Sequence, residues 1–308
     1  MSRMTRVPSG IIHCPVTPFD GANAVDLDTF ARVVEFLLRQ EPAALCVNLH
    51  LAESLNLTLQ ERMTLAEAAV AVTAGRAPVI VNVSTPGTDQ ALTLARHAER
   101  AGADCLMAIT PYHWKPSQDA IYAHFAALMN ASSLPMLGYN SPHAMGGIGI
   151  APATLVRIMR DFPRFIGLKE ASHNWETYIA LGQAGRSVMP GFGLFVGTEW
   201  MIPSFTLGGV ACMSIQGGIA PRLVQALHEA TVSGRLGEAL PLQEKLAELF
   251  ALAMPEYPAP SKAMWEIMGR PVGNPRLPNR PLAPEQVKAL EGALARLGIL
   301  DGEPHGWD

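Results

Sequence analysis

Short apolar runs alternate with amphipathic stretches over the first 220 residues, with a period of roughly 30 residues. Eight runs have the length of strands: residues 11–19, 44–50, 77–84, 103–110, 134–140, 165–172, 194–198 and 209–215. Stretches between them place apolar residues at the i, i+3, i+4, i+7 spacing of helices, as in residues 27–40, 59–76 and 89–102. This alternation predicts parallel βαβ units. Eight units fit a closed (β/α)8 TIM barrel better than an open, doubly wound sheet.

Two further features of the pattern bear on the architecture. No G-x-G-x-x-G motif follows the first run, which disfavours a dinucleotide-binding sheet. After about residue 220 the strand-like runs stop, and four helical patterns follow at residues 221–234, 236–254, 260–269 and 284–299. We therefore predict a catalytic barrel domain over residues 1–222 and a C-terminal helical region, a bundle, over residues 223–308. No low-complexity linker separates them, so we expect the two parts to pack together.

Composition narrows the class of protein. The chain is 49% hydrophobic and 16% charged, which is typical of a globular protein. A net charge of −4 gives no support for binding nucleic acid or an anionic membrane, and no apolar run is long enough to span a bilayer. The four cysteines are scattered through apolar segments without the spacing of metal ligands, so we expect buried free thiols in a cytoplasmic protein. No metal or cofactor site is predicted.

The sixth apolar run, FIGLKEAS, carries a lysine where a buried strand is expected. Lys169 either extends outward at the strand end or points inward as a neutral amine that attacks a carbonyl. It shares its face with Gly167 and Ala171, whose small side chains leave room for it. An inward lysine near the C-terminal end of a barrel strand has the position of a catalytic group. We predict a lowered pKa for Lys169 and an imine with a 2-oxo acid.

Tyr139 has the corresponding place in the fifth run. Its phenol either shuttles protons during the reaction or is a buried core group hydrogen-bonded to backbone. In the second run, Cys46, Asn48 and His50 share a face that we predict points inward.

The order and spacing of several motifs resemble the dihydrodipicolinate synthase / N-acetylneuraminate lyase family of Schiff-base aldolases, over nearly the whole chain. The matching stretches are VTPF (16–19), AES (52–54), TPY (110–112), KPS (115–117), YN-x-P (139–142), GLKEAS (167–172), FVGTE (195–199), GG (208–209) and PAPSKAMW (258–265). The resemblance implies a barrel with C-terminal helices, a homotetramer, and no metal or organic cofactor. It further implies that Lys169 forms the imine with pyruvate and that Tyr139 is the proton shuttle. Gly197 would line the substrate pocket, and we also place Met213 among the substrate-binding residues.

Three departures from the family pattern concern the second substrate and the proton relay. The loop that normally reads Gly-Thr-Thr-Gly-Glu is Leu-His-Leu-Ala-Glu (49–53), so only backbone amides near Leu51 remain to bind a carboxylate. His50 and His113 stand where the family has the two hydroxyl partners of its tyrosine relay. Either the relay is rebuilt from histidines or these positions have drifted in a decaying paralog. Ala144 replaces the arginine that receives the carboxylate of the aldehyde in synthases.

We therefore expect a Schiff-base lyase, aldolase or dehydratase that acts on pyruvate or another small 2-oxo acid, with an aldehyde as the partner in an aldol reaction. Lys169, Tyr139, His50 and His113 are the predicted catalytic residues. We expect the protein not to be the lysine-pathway enzyme, because Ala144 offers no partner to a carboxylate. The alternatives are 4-hydroxy-tetrahydrodipicolinate synthase itself and a non-catalytic paralog that binds a 2-oxo acid. A histidine relay predicts that turnover falls below about pH 6–7.

Overall fold

Eight parallel strands close into a barrel in chain order, with β8 pairing back onto β1. The computed structural model describes residues 7–112, 115–142 and 148–307. The strands are β1 (Gly10–His13), β2 (Ala44–Val47), β3 (Val79–Asn82), β4 (Cys105–Ile109), β5 (Met136–Asn140), β6 (Phe165–Glu170), β7 (Gly193–Gly197) and β8 (Ala211–Ser214). The predicted (β/α)8 barrel is confirmed.

In the described part of the chain, eight helices alternate with the strands and cover the barrel, and four more follow in the C-terminal region. The barrel helices are α1 (Leu27–Leu38), α2 (Leu59–Thr73), α3 (Thr88–Ala101), α4 (Gln118–Ala131), α5 (Pro152–Asp161), α6 (Trp175–Val188), α7 (Met201–Thr206) and α8 (Pro221–Val232). The C-terminal helices are α9 (Leu236–Ala253), α10 (Ala259–Ile267), α11 (Pro284–Arg296) and α12 (Ile299–Gly302). The predicted boundary at residues 222 and 223 falls inside α8, and the division into two domains stays a prediction.

Local sequence signals account for where several helices begin and end. Asp26, Ser117 and Asn174 cap α1, α4 and α6 by accepting a backbone N–H of the first turn. Thr58 forms a reciprocal capping box with Glu61 at the start of α2. α3 ends at a glycine in the left-handed conformation, as its sequence predicts.

Most predicted runs are longer than the strands they contain. The residues beyond the strand ends are buried as well, Leu49 and Val83 among them, so apolar character continues where strand pairing has stopped. β2 ends at Val47 because Asn48 takes a left-handed conformation with φ 61°. The side-chain amide of Asn48 donates to the backbone carbonyl of Arg62 in α2, 2.9 Å away. Asn48 therefore does not share an inward face with His50, and that prediction was wrong because the alternation ends with the strand.

The C-terminal region contacts the barrel mouth through buried polar groups. Gln243 of α9 donates to the carbonyl of Glu199, just after β7. Lys262 of α10 forms a buried ion pair with Glu53, in the loop after β2. The four cysteines are buried free thiols, as predicted. Within the described ranges, no helix combines the length and apolar character needed to cross a membrane.

Candidate active site

Lys169 is held beside Tyr139 by the pairing of two strands. β5 and β6 place the two residues directly opposite each other. Lys169 is 7% exposed and Tyr139 is 5% exposed. The Lys169 Nζ lies 4.0 Å from the centre of the Tyr139 ring, which favours a cation at that nitrogen. The strand register therefore brings an amine and a phenol together at the barrel mouth.

Small residues on the neighbouring strand leave space for the lysine. A Cβ placed at Gly197 of β7 would come within 2.7 Å of the Lys169 Cε and 2.6 Å of the Ala171 Cβ. Because real side chains do not approach so closely, glycine at position 197 is a steric requirement of the extended lysine. Gly197 thus shapes the site from the seventh strand.

The side chains of Lys169 and Tyr139 open onto a cavity of about 330 Å³ at the C-terminal ends of the strands. His50, Leu51 and Gly197 also line it. Larger cavities of about 630 and 530 Å³ lie outside the barrel mouth and contain neither Lys169 nor Tyr139. In this fold the chemistry belongs to the C-terminal face, so the smaller cavity is the candidate active site.

Lys169 does not have the lowered pKa that its sequence context predicts. Burial opposes its charge, but Tyr139, Cys14 and Cys46 favour the cation, and the pKa of Lys169 is raised above its ordinary value. The prediction of a resting neutral amine was therefore wrong, because it counted burial and omitted groups on β2 and β5 and just after β1. The ammonium must lose a proton before it can attack a carbonyl.

Tyr139 has a hydrogen-bond partner in the same cavity. Its hydroxyl lies 3.3 Å from the Nδ1 of His50, so its partner is an imidazole and not the backbone group that a core tyrosine would use. Burial, with the nearby charges of Lys169 and Arg62, lowers the pKa of His50 to about 3. His50 is therefore neutral across physiological pH, and an acid limb at pH 6–7 is not expected from it. In the tautomer of His50 with its proton on Nε2, Nδ1 accepts a hydrogen bond from the Tyr139 hydroxyl.

The loop after β2 lines the cavity with Leu49, His50 and Leu51. The amides of Ala52 and Glu53 close turns on the carbonyls of Leu49 and His50, at 3.1 and 2.9 Å. Among the described residues, the amide of Leu51 donates no backbone hydrogen bond. An unengaged amide beside Lys169 is suited to a carboxylate.

Met213, also named by the sequence, stands apart from this group. Met213 of β8 is fully buried, is not among the cavity-lining residues, and accepts a hydrogen bond from the amide of Thr198 at 3.1 Å. Its role in substrate binding stays a prediction. His113 and Ala144 lie outside the described residues.

Comparisons with known proteins agree with this architecture. The profile of the Dihydrodipicolinate synthetase family matches residues 7–297. The chain is 31% identical to 4-hydroxy-tetrahydrodipicolinate synthase of Gluconacetobacter diazotrophicus, over 96% of this chain and 99% of that protein. It is 32% identical to the Rhizobium meliloti enzyme of the same name, over 95% of this chain and 99% of that protein. The chain belongs to the dihydrodipicolinate synthetase family.

Solved structures of this family share the fold. Dihydrodipicolinate synthase from Thermotoga maritima superposes with a TM-score of 0.87 at 28% identity, over 95% of this chain and 99% of that one. YagE, a prophage protein of the family from E. coli K12 in complex with pyruvate, gives a TM-score of 0.89 at 24% identity, over 94% of this chain and 99% of that one. Members of the family are class I lyases that form a lysine Schiff base with pyruvate. This chain is therefore a class I lyase, and the non-catalytic alternative is not supported.

The family relationship also bears on the specific reaction. The relatives named above are synthases, so the expectation that this protein is not the lysine-pathway enzyme is not supported. The alternative, 4-hydroxy-tetrahydrodipicolinate synthase, fits the comparisons better.

Part of the cavity wall comes from the C-terminal region, for which the sequence predicted no role in the site. Phe250 of α9, together with Met254 and Tyr257 just after it, lines the cavity. Phe250 also packs edge-on against His173 and Trp200, with ring centres 6.1 and 6.2 Å apart. The spacing 250, 254, 257 is an ordinary helical face, so no local signal separates these residues from core. Among the described residues, no group of three or more His, Cys, Asp or Glu side chains is placed to hold a metal ion.

Proposed function

We propose that this protein condenses pyruvate with aspartate semialdehyde through an imine on Lys169, the reaction of 4-hydroxy-tetrahydrodipicolinate synthase. The observation that carries the proposal is the placement of the Lys169 amine 4.0 Å from the Tyr139 ring, at the mouth of a barrel of this family. The names of its relatives support the choice of aldehyde.

The proposed chemistry uses groups already in contact. Lys169, once deprotonated, attacks C2 of pyruvate, and loss of water gives the imine. The imine withdraws electrons from C3. Tyr139, having given its proton to the departing water, takes a proton from C3, which converts the imine to an enamine, and the enamine carbon attacks the aldehyde carbonyl and forms the C–C bond. The alkoxide takes a proton from Tyr139, and an amine or water at the imine carbon then releases Lys169. His50 accepts a hydrogen bond from the Tyr139 hydroxyl and orients it for these transfers.

The pyruvate carboxylate is proposed to bind the loop after β2. The loop lacks the two hydroxyl side chains of the family pattern, and backbone amides do not depend on side-chain type. The Leu51 amide is the donor we assign, because it lines the cavity without a backbone partner among the described residues. His113 is proposed to complete the proton relay as the family's second tyrosine does.

The test is a two-substrate assay of the purified protein. Pyruvate with aspartate semialdehyde should be consumed in a Lys169-dependent reaction, and Lys169→Ala should abolish it. No consumption of aspartate semialdehyde by a protein that forms the pyruvate imine would contradict the synthase assignment.

A second candidate is release of pyruvate from 2-keto-3-deoxy sugar acids. The observation in its favour is the cavity wall, where Lys169 is the one lysine or arginine among the described lining residues and Phe250, Met254 and Tyr257 are apolar or aromatic. Such a wall offers no cation to a second carboxylate. Pyruvate release from these acids, without turnover of aspartate semialdehyde, would favour this candidate.

Assembly and location are proposed from the family resemblance alone. We expect a cytoplasmic homotetramer in which His113 serves a neighbouring subunit's site. Light scattering at assay concentration tests this, and a fully active monomer would contradict it.

A further inference from the structure

The loop that carries His50 and Leu51 ends at a buried charge. Glu53 is 4% exposed and holds a left-handed backbone with φ 53°. Its Oε1 lies 3.1 Å from the Nζ of Lys262, and the two side chains are 1% and 2% exposed. Taking two ions out of water costs several kcal/mol for each, so such a pair is weak support for the stability of a fold. Its position beside the substrate loop suggests another purpose.

Besides Lys262, the carboxylate has two donors from the C-terminal region and one, the side-chain amide of Asn56 at 3.3 Å, from its own loop. Its Oε2 accepts the amide of Arg276 at 2.9 Å and the side-chain amide of Asn279 at 3.3 Å. Lys262 in turn donates to the carbonyl of Asn274 at 3.0 Å. The Glu53 carboxylate is thus fixed in position by a segment more than 200 residues away in the chain.

Movement of Glu53 would displace His50 and Leu51, which line the cavity. The Glu53 amide donates to the carbonyl of His50 at 2.9 Å, and the Ala52 amide donates to the carbonyl of Leu49 at 3.1 Å. The Ala52 carbonyl accepts the hydroxyl of Thr17 at 2.7 Å, which gives the loop a second fixed point. Leu51, with its amide, lies within both of these turns, 49–52 and 50–53.

We propose that Lys262 is a positioning residue for substrate binding: through Glu53 it holds the Leu51 amide and His50 in the geometry that binds a 2-oxo acid carboxylate. This inference rests on the proposed function, because it takes the loop after β2 as the carboxylate site. It assigns the C-terminal region a direct part in pyruvate affinity, although α10 does not line the cavity.

A second buried cation of the same region provides a matched control. Arg270 is fully buried, and its Nη1 donates to the carbonyls of Pro304 and Gly306 at 2.7 and 2.9 Å. These carbonyls belong to the C-terminal region, and the guanidinium also lies over the rings of Phe36 and Trp265; none of these partners belongs to residues 49–53. Arg270→Met should therefore weaken the region without moving the loop.

The experiment measures borohydride trapping of pyruvate on Lys169 as a function of pyruvate concentration. Lys262→Met should raise the half-saturating pyruvate concentration by about 10- to 100-fold, the scale expected for a misplaced binding group. The maximal extent of labelling should stay that of the wild type, since Lys262 does not touch the reacting atoms. Arg270→Met should keep the wild-type half-saturation even where its Tm falls.

If Lys262→Met alone folds poorly, a double variant keeps the test valid. Glu53→Gln with Lys262→Met removes both buried charges and should recover stability, while the raised half-saturation persists. Wild-type half-saturation in the folded Lys262→Met and double variants would overturn the inference and leave the proposed function intact. Absence of any label on the wild-type protein would overturn both.

Discussion

The charge state of two residues controls how this site can work. Lys169 rests as an ammonium because its pKa is raised, and His50 rests as a neutral imidazole because its pKa is lowered to about 3. A proton must therefore leave Lys169 before imine formation. The neutral His50 accepts a hydrogen bond from Tyr139, but with its lowered pKa it is too weak a base to take that proton itself.

Replacing His50 tests this arrangement. His50→Ala should lower kcat by about 100-fold, the scale of a misplaced catalytic group, because Tyr139 loses the acceptor that orients its hydroxyl. His50→Gln should retain more activity, because its amide oxygen still accepts a hydrogen bond from Tyr139. Since the pKa of His50 lies near 3, the shape of the kcat profile between pH 5 and 7 should be the same in wild type and variants. An acid limb near pH 6–7 that disappears in His50→Ala would contradict this account.

The meeting of Lys169 and Tyr139 was predictable, and the direction of the Lys169 pKa shift was not. Lys169 and Tyr139 stand out because a lysine and a tyrosine occur in otherwise apolar runs at the same relative place. The pKa of Lys169 depends on Tyr139 of β5, Cys14 just after β1 and Cys46 of β2, which meet only in the closed barrel. Predicting it requires the three-dimensional arrangement.

At the scale of elements, the contact between β6 and β7 decides whether the lysine can extend. Gly197→Ala should displace Lys169, because the added Cβ would lie 2.7 Å from its Cε. We expect borohydride labelling with pyruvate to fall by about 100-fold, the scale of a misplaced reacting group. Gly191→Ala is the control, since a Cβ there meets no atom within 4 Å. Wild-type labelling of Gly197→Ala would show that the lysine has more room than this packing gives it.

The types and order of the elements followed from periodicity, whereas their ends did not. Runs such as residues 44–50 stay apolar past the last paired residue, because the loops at the barrel mouth are themselves buried. The left-handed turn at Asn48 leaves no signature in hydrophobicity. It nevertheless decides that Asn48 contacts α2 while His50 reaches the cavity.

At the scale of the whole molecule, buried histidines should make the protein sensitive to acid. Burial lowers the pKa of His13 and of His124 to about 4. In the unfolded chain both titrate near 6.5, so between about pH 6.5 and 4 the unfolded state binds more protons and stability falls as pH falls. Each histidine contributes up to about 1.4 kcal/mol per pH unit in this window.

His124→Gln isolates one of these contributions. Between pH 6.5 and 4.5, the free energy of unfolding, measured by urea titration, should fall by about 2 kcal/mol less in the variant than in the wild type. His305→Gln is the control, because His305 is exposed. Equal slopes in wild type and His124→Gln would mean that the buried imidazole is protonated without cost.

The C-terminal region is the part of the molecule whose role sequence explained least. Its helices were predictable, but the approach of Phe250 to the cavity and of Lys262 to Glu53 joins segments far apart in the chain. Neither contact has a local pattern, because both depend on how α9 and α10 pack over the barrel mouth.

The central claim is that Lys169 forms the imine, and mass spectrometry after borohydride reduction tests it most directly. With pyruvate present, the wild-type protein should gain one pyruvate-derived mass, located on the peptide that contains Lys169. Lys169→Ala, shown to be folded by its circular dichroism spectrum, should gain none. Equal labelling of the two proteins, or a label on a peptide without Lys169, would contradict the account.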